Sequence, residues 1–399
     1  MLTGNKSRYP APSRRLRLGM VGGGREGLVG QWHWIGARIS NRWDLVAAAP
    51  SSDPEAALAA GRSWHLVEDR IYGNWRDMAR REAEREDGID AVAICTPNWT
   101  HYEIAMAYLE AGIDVICDKP MCNTLEEARA LLDKQAETGL VLAVTYPYAF
   151  HPMVRQAREM MASGAIGRLR QVMVEYVQEQ AALPADPTAR KTAWKTDASK
   201  TGRAAITGDI GTHALHLLEF IAGGQVTRLR ADFHVCGAPK QQEDTAFLNL
   251  TMEGGAPGVM WVTQAAAGNY CGLRIRLYGE TGGLEWDQEN PEKLRYTRLR
   301  EPEQIIVRGH GSGMLPKAER MVLLPRGHGE ALSDAWGNLY TEIAIAVEAR
   351  RAGRTLPDGE LVMPDVKDGA RGVAFVHATA DSHEGGGVWV ELPDTVRGA

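Results

Sequence analysis

The chain predicts an α/β protein in two parts. Residues 1–150 read as a parallel sheet covered on both faces, and residues 151–399 as a second domain on a mainly antiparallel sheet. Three observations carry this. Near-continuous apolar segments alternate with amphipathic ones between residues 16 and 147, the signature of strands buried on both faces by helices. A Gly-x-Gly-x-x-Gly run, Gly22, Gly24 and Gly27, follows the first apolar segment. After Tyr148 the hydrophobic period changes to two, as in a sheet with one covered face.

The elements of the first part follow in order. Residues 16–21 form a first strand and 29–41 a helix; 45–49 form a second strand. Asp53-Pro54-Glu55 then opens a helix with a capping side chain, proline at the first helical position and an acid in the first turn. Residues 89–94, 113–117 and 140–144 are further strands. Between them lie a helix over 101–110, stopped by Gly112, and one over 128–137, opened by the capping box Thr124-Leu125-Glu126-Glu127 and stopped by Gly139.

In the second part, Leu229, Ala231, Phe233 and Val235 alternate with polar residues. So do Ala246, Leu248, Leu250 and Met252, and again Leu273, Ile275 and Leu277. The basic residues between them are solvated or belong to a subunit interface. Helices are expected over 153–162, 211–221, 330–351 and 365–382, the last able to pack back on the first domain, and a closing strand over 388–392.

Composition bounds the function. The 399 residues carry 45 basic and 51 acidic side chains, a net charge of −6, with 44% hydrophobic residues. That balance suits a globular protein with a full core and excludes a disordered or fibrous one. The slight acidity argues against a nucleic-acid partner, and no apolar run reaches the ~18 residues of a membrane span. Arg14-Arg15 leads into no apolar export segment, and five scattered cysteines suit reduced thiols. A cytoplasmic location is therefore expected.

The glycine run lies between the first strand and first helix, where glycines let the backbone approach a pyrophosphate and helix amides meet its charge. Gly22, Gly24, Arg25, Glu26 and Gly27 are the expected contacts, and Gly30 the glycine that packs helix on strand. An acid to hold the ribose is missing from the end of the second strand, where Ser51 and Ser52 stand; Asp53 reads better as a helix cap. These residues leave NAD against NADP open. Thr96-Pro97-Asn98 with His101, and Asp118-Lys119-Pro120, close the next two strands, where the nicotinamide end would sit.

Gly208-Asp209-Ile210-Gly211-Thr212-His213 opens a helix, with Asp209 and His213 four apart on one face. Histidine suits general-base work near neutral pH, and a neighbouring carboxylate tunes it; a capping aspartate with a satisfied histidine is the plain alternative. His216 would complete a metal face only with a third ligand motif, which the chain lacks, and Cys117 and Cys122 lack further Cys or His at zinc spacing. No metal is expected.

Together these motifs resemble the Gfo/Idh/MocA oxidoreductases, over nearly the whole chain. The resemblance implies a Rossmann dinucleotide-binding domain followed by an α/β domain with a large open sheet, one that commonly builds homodimers or homotetramers. It implies NAD, or NADP, as cofactor and catalytic roles for Lys119, Asp209 and His213. Trp194-Lys195-Thr196-Asp197 and Gly327-His328-Gly329-Glu330 are similar to segments of one subgroup, which with Tyr148 and Arg203 puts Trp194, Lys195 and His328 beside the substrate. Lys195 and Arg203 depart from the family's pattern; with Lys200 they belong either to a solvated loop or to a site for an anionic group on the substrate. The implied activity is hydride transfer from a sugar, sugar-derivative or cyclitol hydroxyl. The alternatives are an NAD-dependent glycosidase acting by transient oxidation, elimination and re-reduction, and a non-catalytic dinucleotide sensor.

Overall fold

The structure is a computed structural model that describes residues 14–24, 27–184, 198–311, 313–357 and 359–393. Its strands are β1 (Leu16–Gly22), β2 (Trp43–Ala49), β3 (Ala91–Cys95), β4 (Asp114–Cys117), β5 (Leu142–Val144), β6 (Leu169–Val177), β7 (Val226–His234), β8 (Thr245–Met252), β9 (Pro257–Thr263), β10 (Gly272–Gly279), β11 (Gly282–Asp287), β12 (Lys293–Arg298), β13 (Gln304–Val307) and β14 (Val390–Glu391). The helices are α1 (Leu28–Ser40), α2 (Pro54–Ser63), α3 (Trp75–Glu84), α4 (His101–Glu110), α5 (Leu125–Thr138), α6 (Pro152–Ala162), α7 (Ala198–Thr201), α8 (Thr212–Ala222), α9 (Pro316–Glu319), α10 (Leu332–Arg351) and α11 (Val366–Glu384).

The chain divides into two compact units. The first takes residues up to Pro147 together with Leu332–Ala370. Its five strands are all parallel, in the order β2-β1-β3-β4-β5, and the order reverses between β1 and β3, the point where such sheets bind ligands. Leu18, Met20, Val92, Ile94, Val115 and Ile116 are fully or almost fully buried. Asp53 caps α2 through a bond from the Ala56 amide (2.8 Å), and Thr124 and Glu127 form the expected capping box.

The long helix α10 belongs with this sheet rather than with the 151–399 segment in which the sequence places it. It packs on α1 because Gly36 has no side chain: a Cβ there would lie 2.8 Å from the Tyr340 ring and 2.9 Å from the Trp336 carbonyl. The Trp43 indole donates to the Tyr340 carbonyl (3.0 Å), Arg42 grips both Glu348 oxygens (3.0 and 2.9 Å), and Arg350 meets Asp114 (2.7 Å). The first turn of α11 also lies here, with Gly369 close against Met121 and Val144.

The second unit takes Tyr148–Ala331 and the residues from Arg371 onward. Its nine strands run β13-β12-β11-β10-β6-β9-β8-β7-β14, antiparallel except for the parallel pair β6 and β9. The predicted alternation holds along β8 and β10, whose apolar rows are buried. Val235 does not join its row: it lies beyond the end of β7 and is 46% exposed. The closing strand shrinks to two residues, paired with β7. The opposite face of the sheet exposes Met173, Phe247 and Val259, and Phe247 stacks on Trp261 at 6.1 Å. Beside this patch, Glu175, Arg274, Arg276, Glu285 and Asp287 form a ladder of ion pairs.

His33 in the first unit and His151 in the second are enclosed in these cores. Burial lowers each from its ordinary value to about 4. The unfolded chain therefore takes up their protons first as pH falls, so stability is complete above about 6.5 and is lost between there and about 4. The loss is about 3 kcal/mol for each group. Urea unfolding at pH 7 and pH 4.5 should show this drop, and His33→Gln, which cannot be protonated, should lose less on acidification than the natural chain.

Candidate active site

In the first unit the glycine loop is shaped by backbone contact. Gly22 and Gly23 adopt φ of +79° and +70°, which side chains disfavour. A Cβ at Gly22 would lie 2.8 Å from the Thr96 methyl, and one at Gly30 2.3 Å from the Gly23 Cα. The loop closes with the Gly27 amide donating to the Gly24 carbonyl (2.6 Å), and α1 starts at Leu28. A cradle of this kind, floored by backbone and ending at helix amides, fits a dinucleotide pyrophosphate. Arg25 and Glu26, also expected there, lie outside the described residues.

Ser51 accepts a bond from the Asp53 amide (3.1 Å), so both side chains serve the start of α2. Thr96 accepts from the Thr100 hydroxyl at 2.7 Å, and Pro97 leads into a single 3-10 turn, Asn98–Thr100. His101, expected as a cofactor contact, has a different place. Its ring is fully buried, with its nitrogens 2.7 Å from the Thr96 carbonyl and 2.8 Å from that of Pro120. It ties the β3 and β4 ends together. Asp118 accepts from the Thr145 hydroxyl (2.6 Å), and Lys119, half-buried, is joined to Pro120 by a cis peptide.

In the second unit, Asp209 stands in a π-turn, Thr207–Gly211, that runs into α8, where His213 sits. The Thr212 amide reaches back five residues to the Thr207 carbonyl. That extra residue resets the phase between Asp209 and His213, which the spacing alone assigns to a uniform α-helix; such turns cluster at functional sites. The turn has no local cap. Glu243, from the loop before β8, accepts from the amides of Ala205 (3.1 Å), Ile206 (2.9 Å) and Thr207 (3.4 Å) instead. Asp209 accepts from the Gln264 side-chain amide (3.0 Å), which also donates to Gln178 (3.1 Å).

The His213 ring meets Tyr148 edge-on, with centroids 5.0 Å apart and planes at 82°. The Tyr148 hydroxyl is 2.5 Å from that of Tyr176, and the Cys271 sulfur lies 3.8 and 3.4 Å from the two. Burial pushes both phenols well above their ordinary pKa. Tyr148 was expected at the substrate; Tyr176, Cys271, Gln178, Gln264 and Glu243 were not, and none belongs to a local motif.

Residues 16–146 match the oxidoreductase family with an NAD-binding Rossmann fold, and residues 154–285 match the GFO/IDH/MocA C-terminal domain. The chain belongs to the Gfo/Idh/MocA family. It is an oxidoreductase with an NAD-binding Rossmann domain. It is 35% identical over 386 residues to the oxidoreductase YfiI of Bacillus subtilis, covering 95% of this chain and 98% of that one. It is 25% identical over 410 residues to the levoglucosan dehydrogenase of Pseudarthrobacter phenanthrenivorans, 95% and 99% of the two chains. An inositol dehydrogenase homolog from Azotobacter vinelandii, solved with NAD+, superposes with a TM-score of 0.90 at 36% identity, 95% of this chain and 98% of that one. The same homolog has been solved with NADH and myo-inositol, with a TM-score of 0.88.

Other residues of this Gfo/Idh/MocA protein take places the sequence does not foresee. Arg203, expected to receive an anionic substrate, is already paired with Asp381 and with Glu384 (2.6 Å). Its charge is matched twice over by α11. His216 stacks on Phe220 (5.9 Å), and burial, with Arg158 and Arg155 nearby, lowers it to about 3. Among the described residues no three His, Cys, Asp or Glu side chains converge as metal ligands. His328 is exposed on a loop held by buried Arg308, which grips the His328 carbonyl, the Leu324 carbonyl (2.8 Å) and Glu330 (2.8 Å). Trp194 and Lys195 lie outside the described residues. No helix among those residues is long and apolar enough to cross a membrane.

No carboxylate stands at the end of β2 to receive a ribose diol except the committed cap Asp53. Ser51→Asp would supply one and repel a 2′-phosphate. Titration of both cofactors should show the NAD-over-NADP ratio rising about tenfold, the equivalent of ~1.4 kcal/mol.

Proposed function

We propose that this protein is an NAD-dependent dehydrogenase that oxidises a secondary hydroxyl of a cyclitol or sugar, acting in the cytoplasm. The observation that carries the reading is the Asp209–His213 helix, held from both sides by Glu243 and Gln264 and walled by Tyr148. The glycine cradle of the first unit supports it. So does the likeness to the Azotobacter homolog that binds NADH and myo-inositol.

His213 takes the proton of the substrate hydroxyl as the oxygen becomes a carbonyl. Asp209 steadies the imidazolium so formed. Lys119 donates a hydrogen bond to the same oxygen while charge develops on it, and Tyr148 shapes the wall beside His213. Bound NAD supplies the hydride acceptor. Positioned acid–base groups of this kind contribute about 10²–10⁴-fold in rate.

Assayed with NAD+ and myo-inositol, and with a panel of sugars and glycosides, the enzyme should form NADH one-for-one with a keto product. His213→Ala and Lys119→Ala should each lower kcat by about 100-fold or more, while calorimetry finds NAD+ affinity within a few-fold of the natural enzyme. Release of aglycone from aryl glycosides over many turnovers, with no net NADH, would assign the oxidative glycosidase reaction instead.

The exposed face of the nine-stranded sheet supports a homo-oligomer as well. Met173, Val259, Phe247 and Trp261 are neighbours across β6, β9 and β8, by register as well as by stacking, and an apolar patch on an open sheet is a natural contact for a second copy. Sedimentation should find a dimer or tetramer, and Phe247→Lys combined with Val259→Lys should dissociate it. A natural chain that sediments as a monomer would remove this part of the reading.

A further inference from the structure

We infer that Gln264, braced by Gln178, is a positioning residue that holds the Asp209 carboxylate oriented and charged for its work on His213. The inference rests on the dehydrogenase reading and deepens it.

Both glutamines are anchored through their backbones. Gln264 directly follows β9; its amide donates to the Asp244 carbonyl (2.9 Å) and its carbonyl accepts from Ala181 (2.6 Å). Gln178 directly follows β6; its amide donates to the Thr263 carbonyl (2.8 Å) and its carbonyl accepts from Ala266 (3.0 Å). Since β6 and β9 are paired in parallel, the two side chains leave adjacent strand ends.

The chemistry fixes which way the amide of Gln264 points. Its nitrogen has two protons, and two oxygens lie in reach, Asp209 Oδ2 at 3.0 Å and Gln178 Oε1 at 3.1 Å. Turned over, the amide would set its own oxygen against Asp209. An N–H donor favours the charged carboxylate over the acid, and a donor rooted in two strands also fixes its plane. Among the described residues, ionisable groups on the elements packed here include His213 on the same helix, Tyr148 from the segment before α6, whose phenol senses the Asp209 charge, Tyr176 on β6, and Glu243 at the start of the turn. Gln264 is neutral, so it orients Asp209 without competing for the His213 proton.

Gln264→Glu tests this with almost no change of shape. Two carboxylates about 3 Å apart resist both being ionised, so the Asp209 titration should move up by about one pH unit or more. Carbon-13 NMR of full-length protein labelled at the aspartate carboxyls reads this directly, with the signal assigned by its loss in Asp209→Asn. Gln264→Leu, which only removes the donor, should move it up by less, and serves if the glutamate variant does not fold. In turnover with NAD+ and myo-inositol, Gln264→Glu should carry the acidic limb of the kcat profile upward in parallel. Gln264→Leu should lower kcat about tenfold with KM within a few-fold. An Asp209 titration unchanged in these variants, or an acidic limb that superimposes on the natural enzyme's, overturns the inference alone. Absence of turnover by the natural enzyme with NAD+ across the polyol panel overturns the dehydrogenase reading.

Discussion

Helix α1 begins with its backbone laid on the backbone of the loop it leaves, and no side chain fits between them. Gly30 lies against Gly23, and Gly22 against Thr96 and Cys95. The chemistry of the first unit depends on that contact. It brings the opening amides of α1 to the carboxyl end of β1, beside the end of β3, where the strand order reverses. A methyl at Gly30 would push the helix away and leave a gap where a pyrophosphate needs amides. The side chains around the loop are then free for other tasks. His101 ties neighbouring strand ends together, and Thr145 fixes Asp118, so Lys119 is set between two tethered residues, Asp118 and Pro120.

The second unit solves a different problem, that of starting a helix in a buried place without a local cap. Glu243 meets three amides at the head of the π-turn. Burial raises its carboxyl pKa, and those three donors oppose the rise. At the far end of α8, Glu219 accepts from Val226 (2.8 Å) and from Arg371 (2.7 Å). The helix that carries Asp209 and His213 is thus tied at its head by the Glu243 carboxylate from the loop before β8, and at its far end by its own Glu219, whose partners lie on β7 and α11. Removing one partner of such a pair leaves a buried charge unmatched and costs several kcal/mol, which makes the helix hard to displace.

Much of the first unit was legible because its signals are local. The Asp53 cap, the Thr124 capping box and the glycine run are written within a few residues of where they act, and the apolar strands announce themselves by composition. What escaped the sequence is the choice of partner over long separations. The 332–351 helix looks the same whichever core it covers; Gly36 and Trp43 decide, some 300 residues earlier in the chain. Arg203 stands near the Asp209 motif, and proximity suggested a substrate anion, but its carboxylates arrive from α11, 178 and 181 residues later. His101 belongs to a motif at a strand end, yet burial there turned it inward. Gln264 carries no pattern at all, since a glutamine after a strand is commonplace until the fold brings Asp209 to it. The π-turn was hidden because one extra residue in a turn leaves the hydrophobic period of the following helix intact.

Four described residues beside Asp209 and His213 share one electrical property. Gln178 and Gln264 are amides, and the Tyr148 and Tyr176 phenols are kept protonated by burial. These hydroxyls satisfy one another, with the Cys271 sulfur beside them, so the wall needs no charged partner to offset its burial. A second carboxylate at the Gln264 position would serve equally well as an anchor, but it would share a proton with Asp209 and blur its titration over two coupled steps. Neutral supports avoid this. They hold the carboxylate and the imidazole ring by direction and shape, without taking a share of the proton that His213 accepts.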